Sequence, residues 1–462
     1  MTKLSSRFGA LCLAALTAVA CGGKDTDGGG LGTTPPPTLD NQLRATLQQW
    51  GAVPIGAVKQ PSAALVELGK SLFFDKVLSG NRDVACATCH SPLSHTADAL
   101  SLSIGAGGTG SGVGRTLGAG RQFTPRNAPA LLNTGLGSFY IFWDGRVSDL
   151  GGGPTNSTFK TPAGAALPSG LASVLAAQAM FPVANRNEMR GEIGDHDVFG
   201  NVNELAAFDS ADFAGIWSAT MKRVVAINEY VAKFNAAFPG VPTSALGLQH
   251  AANAIAAFEV ASFTFTNSPF DRYLNHDDNA LTADAKQGAL LFFGKARCST
   301  CHFGPLLGGQ SFAAAAVPQL GPGVGKDAPL DLGQDVQFRG QTNRFMFRVP
   351  ALRNVELTAP YMHDGAFTTL DAVVRHYNNA EQALKTYDVS QLDPRLQAQY
   401  HGDAATVNAI LTAAFPQIRQ PLGLTDQELN QLVVFLKSLT DPAARNLSGL
   451  IPASVPSGLA VP

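Results

Sequence analysis

Two short stretches carry the clearest chemistry in this chain. Cys86-Ala-Thr-Cys89-His90 and Cys298-Ser-Thr-Cys301-His302 each place two thiols three positions apart, with an imidazole directly behind the second. Thiols at this spacing meet the two vinyl groups of a haem, and the adjacent histidine is carried under the iron as its proximal ligand. Two CxxC zinc knuckles or two local disulfides are the competing readings. Neither requires a histidine in the next position of both motifs. The expectation is therefore two covalently bound haem c groups, one on Cys86, Cys89 and His90, the other on Cys298, Cys301 and His302.

The remaining two of the six cysteines, Cys12 and Cys21, fall in MTKLSSRFGALCLAALTAVAC. Residues 1–20 combine Lys3 and Arg7, an apolar run and small residues, the pattern of a secretory signal. The end of that run, Ala18-Val-Ala-Cys21, resembles a bacterial lipobox with Cys21 as the lipidated residue, although Ala18 stands where Leu is more usual and plain release is the alternative. Residues 21–40 are rich in Gly, Pro and Thr and read as a flexible tether. These signals place the protein on the periplasmic side of a bacterial envelope, held by a lipid, with the outer membrane favoured over the inner. Lys and Arg total 33 against 35 Asp and Glu, and no basic run occurs, which argues against a nucleic-acid partner. Beyond the signal no apolar run is long enough to span a bilayer, so membrane contact is expected only through the lipid.

The motifs lie in a duplicated frame. Gly69-KSLFFDK precedes the first and Gly288-ALLFFGK the second; Pro129-ALLN and Trp143-Asp-Gly145 follow the first, Pro350-ALRN and His363-Asp-Gly365 the second. A repeated order of landmarks points to two related units, and about 420 residues suffice for two domains. The fold expected is mainly α, with two cytochrome c-like helical domains, 41–250 and 251–462, each wrapped round one haem. Helical apolar spacing runs through Ala64–Phe74, Ala214–Phe238, Leu246–Phe265, Thr282–Phe293 and Thr425–Leu439. Thr425 and Glu428 form a capping-box signature. SPFDRYLN reads as a linker turn, and the Gly- and Pro-rich stretches Gly105–Gly120 and Gly304–Gly333 as long connections.

The second face of each iron decides the chemistry, because a haem closed by two protein ligands only carries electrons. Near the second motif, Leu370, Val373, Val374 and Tyr377 share one helical face, with Thr368 as its expected cap. His376 is then about 100° away from Tyr377. On spacing alone Tyr377 is either a core aromatic or a ligand, with Met362, His363 and His376 as rivals. Near the first motif, Ala97–Phe181 contains no histidine and no methionine before Met180. His95 is too close to His90 to reach the opposite face and reads as a surface or supporting histidine. An open iron face at the first haem follows.

These residues together resemble the bacterial di-haem cytochrome c peroxidase and MauG family, over roughly Leu65 to Leu439. The resemblance rests on LFFD, both CxxCH motifs, TPRNAPALLN, FWDGR, FPVANRNEM, VPALRNVELTAPYMHDG and the final helix. It implies roles for matching positions. Trp143 corresponds to a relay between the haems, Glu188 to an acid–base carboxylate at the open haem, and Gln178 to a second polar residue there. Asn127, with the carbonyls of Thr358 and Pro360, corresponds to a calcium site, for which hard oxygen donors are suited.

Tyr377 occupies the place of methionine in ordinary peroxidases of the family and of an axial tyrosine in MauG. The histidine that closes the first haem in resting peroxidases is missing from Gly105–Gly120. The resemblance thus implies a MauG-type enzyme that uses hydrogen peroxide at the open haem to form high-valent iron. It would then oxidise an aromatic residue of a protein substrate by long-range electron transfer. FPVANRNEMRGEIGD resembles the methanobactin-associated MbnH-like branch in particular. The alternatives are a cytochrome c peroxidase fed by a small redox donor protein, and a di-haem carrier without enzymatic activity. Gly151–Gly170 reads as a surface loop.

Overall fold

The computed structural model describes residues 38–137, 139–150, 159–335 and 343–462. The signal, Cys21 and the tether up to residue 37 lie outside the described residues, as does the 151–158 part of the expected surface loop. The architecture is mainly helical; among the described residues strands are confined to a three-stranded antiparallel sheet and a two-stranded one. Among the described residues no helix is long and apolar enough to cross a membrane.

The duplication seen in the sequence is repeated in the packing. Helix Ala63–Phe74, which leads into the first CxxCH, lies against helix Leu248–Ser262; helix Ala283–Phe293, which leads into the second, lies against Asp426–Lys437. Gly69 and Gly288 mark the crossing points. A methyl group at Gly69 would overlap the Ala254 carbonyl and press on Phe258, and one at Gly288 would overlap the Gln431 carbonyl and press on Phe435. The absence of a side chain lets each helix pair approach backbone to backbone. The Phe-Phe pair of each motif then closes round one partner ring. Phe73 and Phe74 lie 5.2 and 6.1 Å from Phe258, and Phe292 and Phe293 lie 5.2 and 6.3 Å from Phe435, centroid to centroid. Such aromatic pairs contribute ~0.5–1.5 kcal/mol each beyond the burial of their area.

The loops repeat as well. Asn133 and Asn354, the last residues of PALLN and PALRN, both adopt positive φ, 63° and 65°. Their backbone N–H groups donate to Phe263 and Leu439 at the ends of the two packing helices, at 2.8 and 3.0 Å. Asparagine tolerates that backbone conformation better than most residues. The apolar core divides into two large clusters, one built on Leu68–Leu78 and Leu248–Phe263, the other on Phe270–Phe293 and Leu429–Leu439. The chain ends cross over. Leu43 and Leu47 of the first helix join the second cluster, and Leu447 and Val455 of the C-terminal tail join the first.

Several local expectations change. The stretch expected as one helix, Ala214–Phe238, is two, Phe213–Val225 and Asn228–Ala237, broken at Ala226 and Ile227. SPFDRYLN is a helix, Pro269–Leu274, rather than a turn. Ser268 caps it, Pro269 occupies a first-turn position that has no use for an N–H, and Asp271 completes a capping box. Thr369, not Thr368, caps helix Leu370–Asn378 by accepting from Ala372 N. The described part of the expected surface loop begins with strand Phe159–Lys160, paired with Val147–Asp149 and carrying a buried Phe159. The capping box of Thr425 and Glu428 forms as its residues suggested.

Candidate haem centres

At the first CxxCH, Cys86–Cys89 form a single helical turn that ends on His90. His90 Nδ1 lies 3.1 Å from the Thr96 carbonyl, which makes Nδ1 the donor of a neutral imidazole and leaves Nε2 as the free lone pair. Burial lowers the pKa of this ring, so it stays neutral. The second motif repeats the device. His302 Nδ1 lies 3.0 Å from the Leu307 carbonyl, and burial pushes the ring down to about 4. Burial also pushes the thiols of Cys86 and Cys298 up to about 12. All four CxxCH cysteines are free of disulfides. Among the described residues no three His, Cys, Asp or Glu side chains converge to hold a metal ion, which leaves the zinc reading without a fourth-ligand set.

A cavity of about 460 Å³ opens in front of the first motif and fits a haem by its lining: Cys86, Cys89 and His90 on one side, Gln178 and Glu188 among its other walls. His90 is the one histidine in that lining, and its one methionine, Met189, belongs to the apolar core. Gln178 sits in the last turn of helix Val174–Ala179, started by the Ser173 cap. Glu188 lies in a short wide turn, Arg186–Arg190, capped by Asn185. The Asn185 amide donates to Glu188 Oε1 at 2.8 Å, and Arg146 stands 3.9 Å from the same oxygen. Burial raises the Glu188 pKa, against the opposing pull of Arg146 and Arg126. A carboxyl so held in the cavity wall can take and return a proton. His95 does not enter this cavity; its Nε2 lies 3.3 Å from the Arg445 carbonyl.

Tyr377 lies on helix Leu370–Asn378. Its phenol pKa is raised by burial and, to a smaller extent, by the Cys301 and Cys298 thiols, so the ring lies within electrostatic range of that CxxCH. The rivals are engaged elsewhere. His376, placed by its spacing off the buried face, is itself buried, with Nε2 2.9 Å from the Ala315 carbonyl and its ring 5.0 Å from Phe367. His363 stacks on Phe347 at 3.5 Å, and Met362 packs in a separate apolar cluster.

Trp143 is buried in the wall of the cavity at the first CxxCH, its indole N–H donating to the Asn127 carbonyl at 2.9 Å. Asn127 N in turn donates to the His363 carbonyl at 2.8 Å, and its side-chain amide to Leu100 O at 2.8 Å. That bond consumes the amide nitrogen and leaves Asn127 Oδ1 as the oxygen a cation would use. Thr358 and Pro360 lie on the loop leading to His363. Arg126 joins the two halves through Asp144 at 2.7 Å and Asp331 at 2.6 Å, all three buried.

Two residues in the cavity wall have no sequence motif to announce them, Glu259 and Arg348, while Arg146 closes the FWDGR motif without having been singled out. The one available signal was Glu259 itself, a charge inside the apolar run AAFEVASF where the second repeat has Leu436.

The di-haem cytochrome c peroxidase family model matches residues 63–279. The methylamine utilization protein MauG of Methylorubrum extorquens is 29% identical over 409 residues, 88% of this chain and 87% of that protein. The cytochrome c551 peroxidase of Pseudomonas aeruginosa is 32% identical over 317 residues, 68% of this chain and 72% of that protein. Among solved structures, a MauG-like protein associated with microbial copper homeostasis superposes with a TM-score of 0.56 at 25% identity, over 86% of this chain and 95% of the other. With likeness of this extent on both sides of the second CxxCH, the chain belongs to the di-haem cytochrome c peroxidase and MauG family, and with that membership come two haem c groups and an oxidoreductase activity of the peroxidase kind.

Proposed function

We propose that the protein is a MauG-type oxidoreductase, which uses hydrogen peroxide to oxidise an aromatic side chain of a partner protein. The observation that carries this reading is a tyrosine, Tyr377, within electrostatic range of Cys298 and Cys301, at the position where the resemblance gives ordinary peroxidases of the family a methionine. Likeness to a MauG-like solved structure over 86% of the chain supports it.

Cys86, Cys89 and His90 would hold the first haem in the 41–250 half, and Cys298, Cys301, His302 and Tyr377 the second in the 251–462 half. When bound, these groups supply peroxide activation and storage of oxidising equivalents. The protein's part is then proton and charge management. Glu188 takes a proton from incoming peroxide and returns it to the departing oxygen. Asn185 and Arg146 fix the carboxyl, and Gln178 offers a second polar contact in the cavity. Trp143, buried and tied to Asn127, is the relay. Calcium on Asn127 Oδ1 and the carbonyls of Thr358 and Pro360 would lock the loops that carry it. Export with a lipid on Cys21 would set the enzyme on the periplasmic face, where haem c and a protein substrate meet it.

Electron paramagnetic resonance of the ferric holoprotein tests the ligand assignment. Tyr377→Phe should change the low-spin signal and leave the high-spin signal intact; an unaltered low-spin signal refutes Tyr377 as ligand. Peroxide treatment followed by mass spectrometry of co-purifying proteins tests the activity. Fast peroxide turnover with reduced cytochrome c, without oxidised protein residues, would make the protein a cytochrome c peroxidase instead.

A further inference from the structure

Among the described residues Arg348 is a buried cation without a protein counter-charge. It lies in strand Phe347–Arg348, paired with Phe312–Ala313, and is 6% exposed. Its backbone N–H donates to the Trp143 carbonyl at 2.7 Å and its Nε to the Phe142 carbonyl at 3.2 Å. The guanidinium carbon is 5.8 Å from the Trp143 ring centroid, and the side chain lines the cavity that holds Cys86, Cys89 and His90.

A buried guanidinium is costly unless an anion meets it. Among other buried arginines, Arg126 has Asp144 and Asp331 and Arg353 has Asp271 at 2.9 Å, while Arg115 and Arg190 each spread their N–H groups over three acceptors. Arg348 has no carboxylate within 4.0 Å among the described residues, and the single protein acceptor of its guanidinium is a backbone carbonyl. Burial lowers its pKa only to about 10, so the charge persists at neutral pH. A haem brings two propionate carboxylates into whatever cavity encloses it.

We infer that the Arg348 guanidinium pairs with a propionate of the haem attached at Cys86 and Cys89. This inference rests on haem attachment at that motif and is independent of the protein-oxidation reading.

The test is an anaerobic redox titration of the holoprotein in which the two haems are followed by their separate high-spin and low-spin spectra. Arg348→Gln and Arg348→Met remove the charge that favours the reduced state. Each should shift the first haem's reduction equilibrium toward ferric by about tenfold, or about 59 mV for a one-electron couple. Arg348→Lys should hold it near the wild-type position, and the second haem should not move in any variant. The inference is overturned if neither neutral variant shifts the first haem, if Lys shifts it as far as Gln, or if the shift falls on the second haem. The Tyr377 resonance experiment reports on a different haem, so the two assignments fail separately.

Discussion

Trp143 and Asn127 are joined by one hydrogen bond, indole N–H to carbonyl at 2.9 Å, and the backbone N–H of the same residue donates to the His363 carbonyl of the other repeat. The loop WDG of the first repeat is therefore clamped to the loop HDG of the second through a single residue. Trp143→Phe keeps an apolar ring but leaves the buried Asn127 carbonyl without its donor. The expected cost is ~1–3 kcal/mol, measured by denaturant unfolding of the holoprotein. Under the proposed function, peroxide-dependent oxidation of the partner should fall far more than the rate of peroxide consumption. Equal losses of both would remove Trp143 from the relay role.

Glu188 provides a kinetic test. Glu188→Gln preserves the shape and the contact with Asn185 but cannot accept a proton. The reaction with peroxide should slow ~10²–10⁴-fold, followed by stopped-flow absorbance, while the ferric spectra stay as in the wild type. The carboxyl is held above its ordinary value by burial. Acting as a base, it should lose activity as pH falls through a point above the ordinary carboxylate range. A rate without any such limb, or a Gln variant as fast as wild type, would exclude Glu188 from proton transfer.

The paired glycines predict paired effects. Alanine normally improves a helix interior by ~1 kcal/mol over glycine. Here its methyl would strike a carbonyl oxygen on the facing helix, Ala254 for Gly69 and Gln431 for Gly288. Overpacking of this kind costs ~1–3 kcal/mol, so both Gly69→Ala and Gly288→Ala should be destabilising in thermal unfolding. A gain in stability at either site would mean that the helices there stand further apart than described.

Much of this arrangement was legible where several residues act as one signal. The two CxxCH motifs, the G··LFF·K pair and the Thr425–Glu428 box each combine spacing with residue type, and each maps onto one local geometry. Single residues were silent. Arg348 belongs to no local pattern, and Arg146, although it ends FWDGR, gave no sign of its role; the meaning of both comes from a cavity assembled by segments far apart in sequence. His376 was misplaced because a helical wheel assumes one buried face, whereas helix Leu370–Asn378 is packed on two sides, with Val374 in one apolar cluster and Val373 against another. The break at Ala226–Ile227 was hidden because apolar residues continue through it. Ser-Pro-Phe-Asp serves equally well as a turn or a capped helix start, and only the packing of Phe270 on Phe435, 5.3 Å apart, decides between them.

Glu259 yields a prediction with a definite sign. It is 6% exposed on helix Leu248–Ser262, its Oε2 meets no partner among the described residues, and burial pushes its pKa up from 4.5 to about 8. Between those two values the folded chain keeps a proton that the unfolded chain has released. Stability must therefore fall as pH rises through that window, and level off above about pH 8. The equivalent position in the second repeat is Leu436, which buries an apolar side chain without any such penalty. Glu259→Leu should accordingly be the more stable protein at pH 8, by ~1–3 kcal/mol, with a much smaller gap at pH 5. Denaturant unfolding of both holoproteins at the two pH values measures this difference directly. Parallel pH dependence in wild type and variant would show that the slope arises elsewhere and that the buried carboxyl has found a partner in the assembled cavity.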